Sequence, residues 1–129
     1  MSCIKIKCYI VSIDTNSKAK IEINDNDSLI KMNNLIKKLK KNKTGGLPID
    51  KECDNRFFIK INDKTKFQFN NINYDNLSDL YGLEVFITFY HRYYNFKTSI
   101  CDENNEQKNI FLKGYSFIAM KVNNINIFN

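Results

Sequence analysis

Residues 83–96 read LEVFITFYHRYYNF, and their alternation decides the fold. In an extended chain Leu83, Val85, Ile87 and Phe89 share one side. Glu84, Phe86, Thr88, Tyr90, Arg92, Tyr94 and Phe96 share the other. A period of two carried by β-branched and aromatic residues is the mark of a strand. The first set is a plain core face, whereas the second mixes aromatic rings with an arginine and a threonine.

Working outward, the neighbouring segments read the same way. Residues 3–13 (CIKIKCYIVSI) place Ile4, Ile6, Cys8 and Ile10 on one face, with Lys5, Lys7 and Tyr9 on the other. The turn signal at Asp14–Ser17 leads into a second alternating run, 18–24, so the two predict a hairpin. The period changes at 27–42: Leu29, Met32, Leu35, Ile36 and Leu39 form a helical stripe, with Asp27 or Ser28 as the expected cap. Lys37, Lys38, Lys40, Lys41 and Lys43 crowd its end, where cations complement the helix dipole, and Thr44-Gly45-Gly46-Leu47-Pro48 stops it. That lysine cluster reads either as a phosphate-contacting patch or as a solvated helix end.

Strand-like runs follow at 56–62 and 65–70, then a short turn or helix around Asn76–Leu80. Residues 97–109 are expected to form a long polar loop, 111–122 (FLKGYSFIAMKV) the last strand, and 123–129 a short tail. Strands of this number close best as a small barrel, which removes exposed edges. The expected fold is mainly β: one domain over 1–129, an OB-like barrel of about five strands with an inserted helix. A general α+β sheet is the alternative.

Ten Phe and seven Tyr against one Pro describe a folded, strand-rich globule. Twenty Lys and Arg against fourteen Asp and Glu give a net charge of +6, compatible with a polyanionic partner. Lysine greatly outnumbers arginine and asparagine is abundant, as an A/T-rich coding sequence would produce, so the position of the charge matters more than its total. Cys3, Cys8, Cys53 and Cys101 form no C-x-x-C pair and His91 is the single histidine, which argues against zinc. No secretory or membrane-spanning segment is expected, and the chain reads as intracellular, cytoplasmic or nuclear. Phosphate-loop, dinucleotide, zinc-protease and nucleophile-elbow patterns are missing, and no catalytic site or cofactor is expected.

The candidate function therefore rests on the outer strand faces. Phe86, Tyr90, Tyr93 and Tyr94 around Arg92 suit base stacking with phosphate contact, because every base presents a π-face. Arg56, Phe58 and Lys60 oppose Phe57, Ile59 and Ile61. On the last strand Tyr115, Phe117 and Lys121 are placed opposite Ile118, Met120 and Val122. With Lys5 and Lys7, these suggest a single-strand-binding surface whose stacking residues are Phe58, Phe86, Tyr90, Tyr93, Tyr94 and Tyr115. Its backbone contacts are Lys5, Lys7, Arg56, Lys60, Arg92 and Lys121. The same rings could instead cover a second core or pack against protein, in a homo-oligomer or an assembly subunit.

The segment Leu80–Phe89, followed by Tyr93-Tyr94-Asn95-Phe96 and Lys113-Gly114-Tyr115-Ser116-Phe117, resembles OB-fold single-stranded-DNA-binding proteins, particularly those of large DNA viruses with A/T-rich genomes. The resemblance implies a non-catalytic cover for single strands in replication, repair or recombination. The neutral tail departs from the acidic tip of bacterial single-strand binders.

With no cysteine pair at ligand spacing, chelator and reductant are each expected to leave the melting temperature unchanged. Stoichiometric zinc in the purified protein, or a transition that collapses on reduction, would contradict that.

Overall fold

Among the described residues, six strands and one α-helix arise from the periodicities above. The computed structural model describes residues 3–41, 45–69 and 76–124. In chain order they are β1 (Ile4–Ile13), β2 (Lys18–Glu22), α1 (Asn26–Lys40), β3 (Arg56–Lys60), β4 (Lys66–Gln68), β5 (Glu84–Cys101) and β6 (Gln107–Asn124). A 3-10 turn at Leu77–Leu80 leads into β5. The sheet runs β3-β2-β1-β5-β6-β4, and a parallel bridge from Lys60 in β3 to Ile118 in β6 closes five strands into a mixed barrel. The fold is thus a small OB-like barrel with an inserted helix, which lies between β2 and β3. β4 is the extra strand, running parallel to β6 beyond the closure.

Two of the hairpin turns share one device. Asp14 Oδ1 accepts the N–H groups of Asn16 and Lys18, and Asp102 Oδ1 accepts those of Asn104 and Glu106. Three residues after each aspartate the backbone turns left-handed, at Ser17 (φ 62°) and Asn105 (φ 61°). A short side chain that substitutes for a backbone acceptor is what such a turn requires.

The helix takes the place of a strand beside β1. β2 pairs with β1 only from Tyr9 onward, and the Lys7 N–H is instead donated to Ser28 Oγ at 2.8 Å. Ser28 in turn donates its hydroxyl to Asp25 (2.7 Å), which also accepts the Ser28 N–H (3.0 Å). Asp25, two residues ahead of the expected position, is therefore the cap, and the Ser28 bonds hold its carboxyl below the usual range. Met32, Leu35, Ile36 and Leu39 are buried in the barrel core as the stripe predicted.

Val85, Ile87 and Phe89 are fully buried, together with Ile6, Ile10, Ile21 and Ile59 from neighbouring strands. Two expectations need correction. Most of 97–109 is strand: β5 runs to Cys101, β6 begins at Gln107, and only 102–106 turn. Beyond the barrel this hairpin is two-stranded and wet, so its polar composition hides its extended backbone. The face assignment on β6 also changes at a bulge, where Thr88 pairs with Lys121 but Phe89 pairs with Ala119. The extra residue, Met120, shifts the parity. Phe117 therefore lies inside, its ring 4.9 Å from that of Phe89, and Ile118 turns to the outer side while Met120 is exposed. Thr65 donates its hydroxyl to the Ala119 carbonyl at 2.7 Å and so ties the β3–β4 turn to the bulge. Lys43, Thr44 and residues 125–129 of the expected tail lie outside the described residues.

Phe89→Ala would open a cavity beside Phe117 at the centre of the barrel. It should lower unfolding free energy in urea by ~3–5 kcal/mol; a loss below about 1 kcal/mol would show that the ring is not packed as described.

A candidate nucleic-acid interface

Pairing across the sheet sets outward side chains in rows, since hydrogen-bonded strands lie about 4.8 Å apart. One row is Lys5–Thr88–Lys121–Lys66, on β1, β5, β6 and β4. The next is Tyr90–Ile118–Lys60–Lys18, crossing the closure onto β3 and β2. Farther along the hairpin come Arg92 opposite Ser116, Tyr94 opposite Gly114 and Phe96 opposite Leu112. None of these residues is adjacent to its row partners in sequence; barrel closure assembles them.

Two clefts follow these rows. One, of about 430 Å³, is lined by Lys60, Asn62, Arg92, Tyr94, Phe96, Leu112, Lys113, Ser116 and Ile118. The other, about 460 Å³, is lined by Asn62, Lys64, Lys66, Thr88, Tyr90, Met120 and Lys121 with Ile118 and Ala119. Asn62 and Ile118 belong to both, so the clefts form one groove with a buried apolar floor and basic walls. No carboxylate lines either part.

Of the sequence candidates, Lys60, Tyr90, Arg92, Tyr94 and Lys121 meet in this groove. Lys64, Lys66 and Lys113 join them and were missed. Lys64 and Lys66 lie in and just after a turn, and no local pattern reveals that β4 runs along β6. Tyr93 and Tyr115 are on the opposite face of the hairpin, their ring centroids 5.5 Å apart, with His91 5.8 Å from Tyr115. Both therefore lie off the groove.

Phe86 and Phe58 face outward but are already covered. Lys5 Nζ sits 4.5 Å from the Phe86 centroid, and Lys18 and Lys20 lie 5.0 and 5.9 Å from that of Phe58. Each exposed contact of this kind is worth ~0.5–1 kcal/mol, less than the ~1–3 kcal/mol of a stacked base. A base could displace these lysines, but neither ring is an open platform. Lys7 pairs across from Phe86 on the same flank. Arg56 is committed elsewhere: its Nε donates to Glu22 at 3.1 Å, which holds the guanidinium above its ordinary value. It ends a row that also contains Glu22, Tyr9 and Glu84, where Glu84 pushes the Tyr9 phenol up. This end of the barrel carries acids; the groove does not.

The glycines at the groove's far end are structural. Gly46 bridges Gly114, donating its N–H to Lys113 O and accepting from the Tyr115 N–H at 2.9 Å. A methyl group on Gly114 would lie 2.6 Å from Gly46 O and 2.7 Å from the Tyr94 hydroxyl. The pair brings the segment after α1 against the hairpin and seats Tyr94 across it.

All four cysteines are free thiols, and no group of three metal-ligating side chains occurs among the described residues. Among those residues no helix is long and apolar enough to cross a membrane. The chain matches no family model, no curated protein and no solved structure.

Gly114→Ala meets backbone that cannot recede without breaking the Gly46 bridge. The melting temperature should fall, by the equivalent of ~1–3 kcal/mol, and an unchanged transition would show that the two segments do not touch.

Proposed function

We propose that the chain is a non-catalytic, sequence-tolerant binder of single-stranded nucleic acid, held in the groove along β5 and β6. One observation carries this reading: aromatic rings and basic groups alternate along a continuous groove that no carboxylate lines. A protein-binding patch is depleted of lysine at its centre, whereas a single-strand channel keeps cations beside the rings. Tyr90 and Tyr94 are the stacking candidates. Arg92 between them offers both a planar cation and a phosphate contact, and Lys60, Lys64, Lys66 and Lys121 follow the backbone.

The size of the groove fits such a ligand. From Tyr90 to Phe96 the strand advances about 20 Å, room for roughly three to six nucleotides depending on how far they unstack. That sits at the short end of what one OB fold covers. DNA is the ligand that the OB-type resemblance implies, in replication, repair or recombination. The apolar face at the outer end of the hairpin favours a second, protein-directed surface on the same chain.

Fluorescence titration with poly(dT), poly(U) and an equal-length duplex tests the reading. Poly(dT) should bind in preference to duplex, with log affinity falling by about 0.7 per unit of log salt for each phosphate neutralised. Tyr90→Ala should weaken binding by ~1–3 kcal/mol with little change in melting. Arg92→Ala should weaken it and also flatten the salt slope, whereas Arg56→Ala should leave both unchanged. Flat salt dependence, or full affinity in Tyr90→Ala, would falsify the proposal.

A further inference from the structure

We infer that the outer end of the β5–β6 hairpin is a self-association surface, on which a second copy of this chain lays its own hairpin antiparallel across a two-fold axis. Past the Asn95–Lys113 pair the two strands bond, among the described residues, only to each other, over residues 96–101 and 107–112. This arm extends about 20 Å. Its two faces differ in composition. One carries Phe96, Thr98 and Ile100 from β5 against Leu112, Ile110 and Lys108 from β6; Phe96, Ile100 and Leu112 are 52%, 47% and 44% exposed. The other sets Asn95, Lys97 and Ser99 against Lys113, Phe111 and Asn109, so that Phe111 is its one large apolar side chain, and Ser99 Oγ donates to Asn109 Oδ1 at 3.0 Å. A two-stranded ribbon is marginal in water unless its apolar face is covered, and no described element of this chain covers it.

Charge complementarity selects a second copy as the occupant. The arm ends in Asp102, Glu103 and Glu106, offset only by Lys108, which is 3.5 Å from Asp102. Its root on the same apolar face carries Arg92, with Lys60 beside it in the groove. A two-fold axis at the Thr98–Ile110 pair sets Phe96 of one copy against Ile100 of the other, and Leu112 against the alkyl stem of Lys108. The same operation brings each acidic tip over the other copy's basic root, so the surface is self-complementary, as a two-fold interface must be. The overlap is small, on the order of 500 Å² in all, below the ~1,000 Å² of a stable complex. The dimer is accordingly weak and concentration-dependent.

Sedimentation of the full chain from micromolar to millimolar concentration, at low and high salt, tests the inference. Wild type should dimerise reversibly, less so at high salt because the tip–root contacts are screened. Ile100→Gln should weaken the dimer by about tenfold or more, with melting unchanged because the side chain is exposed. Glu103→Lys with Glu106→Lys should weaken it at low salt and lose that effect at high salt. A chain monomeric throughout the range would overturn self-pairing and assign the face to a different protein; a dimer that survives both variants would place the interface elsewhere. The dimer covers Arg92, Phe96 and Leu112 of the groove lining, so Ile100→Gln should match wild type in poly(dT) affinity where wild type is monomeric and exceed it where wild type dimerises. Absence of poly(dT) binding where wild type is monomeric would sink the nucleic-acid reading without touching this one.

Discussion

The pleat of β5 governs the rest of the molecule. From Glu84 to Phe89 it is paired with β1 on one side, and from Val85 to Cys101 with β6 on the other. A strand held on both edges cannot slip by one residue without turning every buried side chain outward. Val85, Ile87 and Phe89 are wholly inside, so Phe86, Thr88, Tyr90, Arg92 and Tyr94 are committed to the outer side. The core and the candidate groove are two faces of one constraint.

The bulge at Met120 adjusts that constraint without relaxing it. One additional residue on β6 lets Phe117 and Ala119 point inward on one side of the break and Val122 on the other. It also turns Ile118 outward as the groove floor, where Lys60 of β3 meets it in the parallel bridge. Bulges commonly re-aim side chains where a sheet bends. Here the bend coincides with barrel closure, and the hydroxyl of Thr65 on the Ala119 carbonyl fixes the turn that carries Lys64 and Lys66 into place.

Charge is divided along the outer surface by the same register. Glu84, Glu22 and the Arg56 ion pair occupy one end, and the lysine rows occupy the other. The acids of the hairpin turn lie at the tip of the arm, beyond the groove lining. A net charge of +6 becomes a local property only once the strands are in order.

The amino-acid sequence by itself determined the local periods. The alternation at 83–89 and 4–10, the stripe from Leu29 to Leu39 and the aspartate turns all follow from contacts within a few residues. The inward faces of β1, β2, β3 and the first half of β5 were legible for that reason. Tyr90, Arg92 and Tyr94 were legible as one outward face because one strand carries all three. Tertiary structure decided everything that depends on which strands are neighbours. Composition could not separate a solvated two-stranded arm at 97–109 from a loop, since both are polar and only cross-strand hydrogen bonds tell them apart. Parity could not be carried past Met120, because a bulge arises from the pairing of two strands distant in sequence. The face of Tyr93 follows from the parity of β5 alone, which places it with Val85, Ile87 and Phe89. The assignments of Phe117 and Tyr115, the pairing of Arg56 with Glu22, and the arrival of Lys64, Lys66 and Lys113 at the groove were settled by the same long-range register, which no short window of sequence contains.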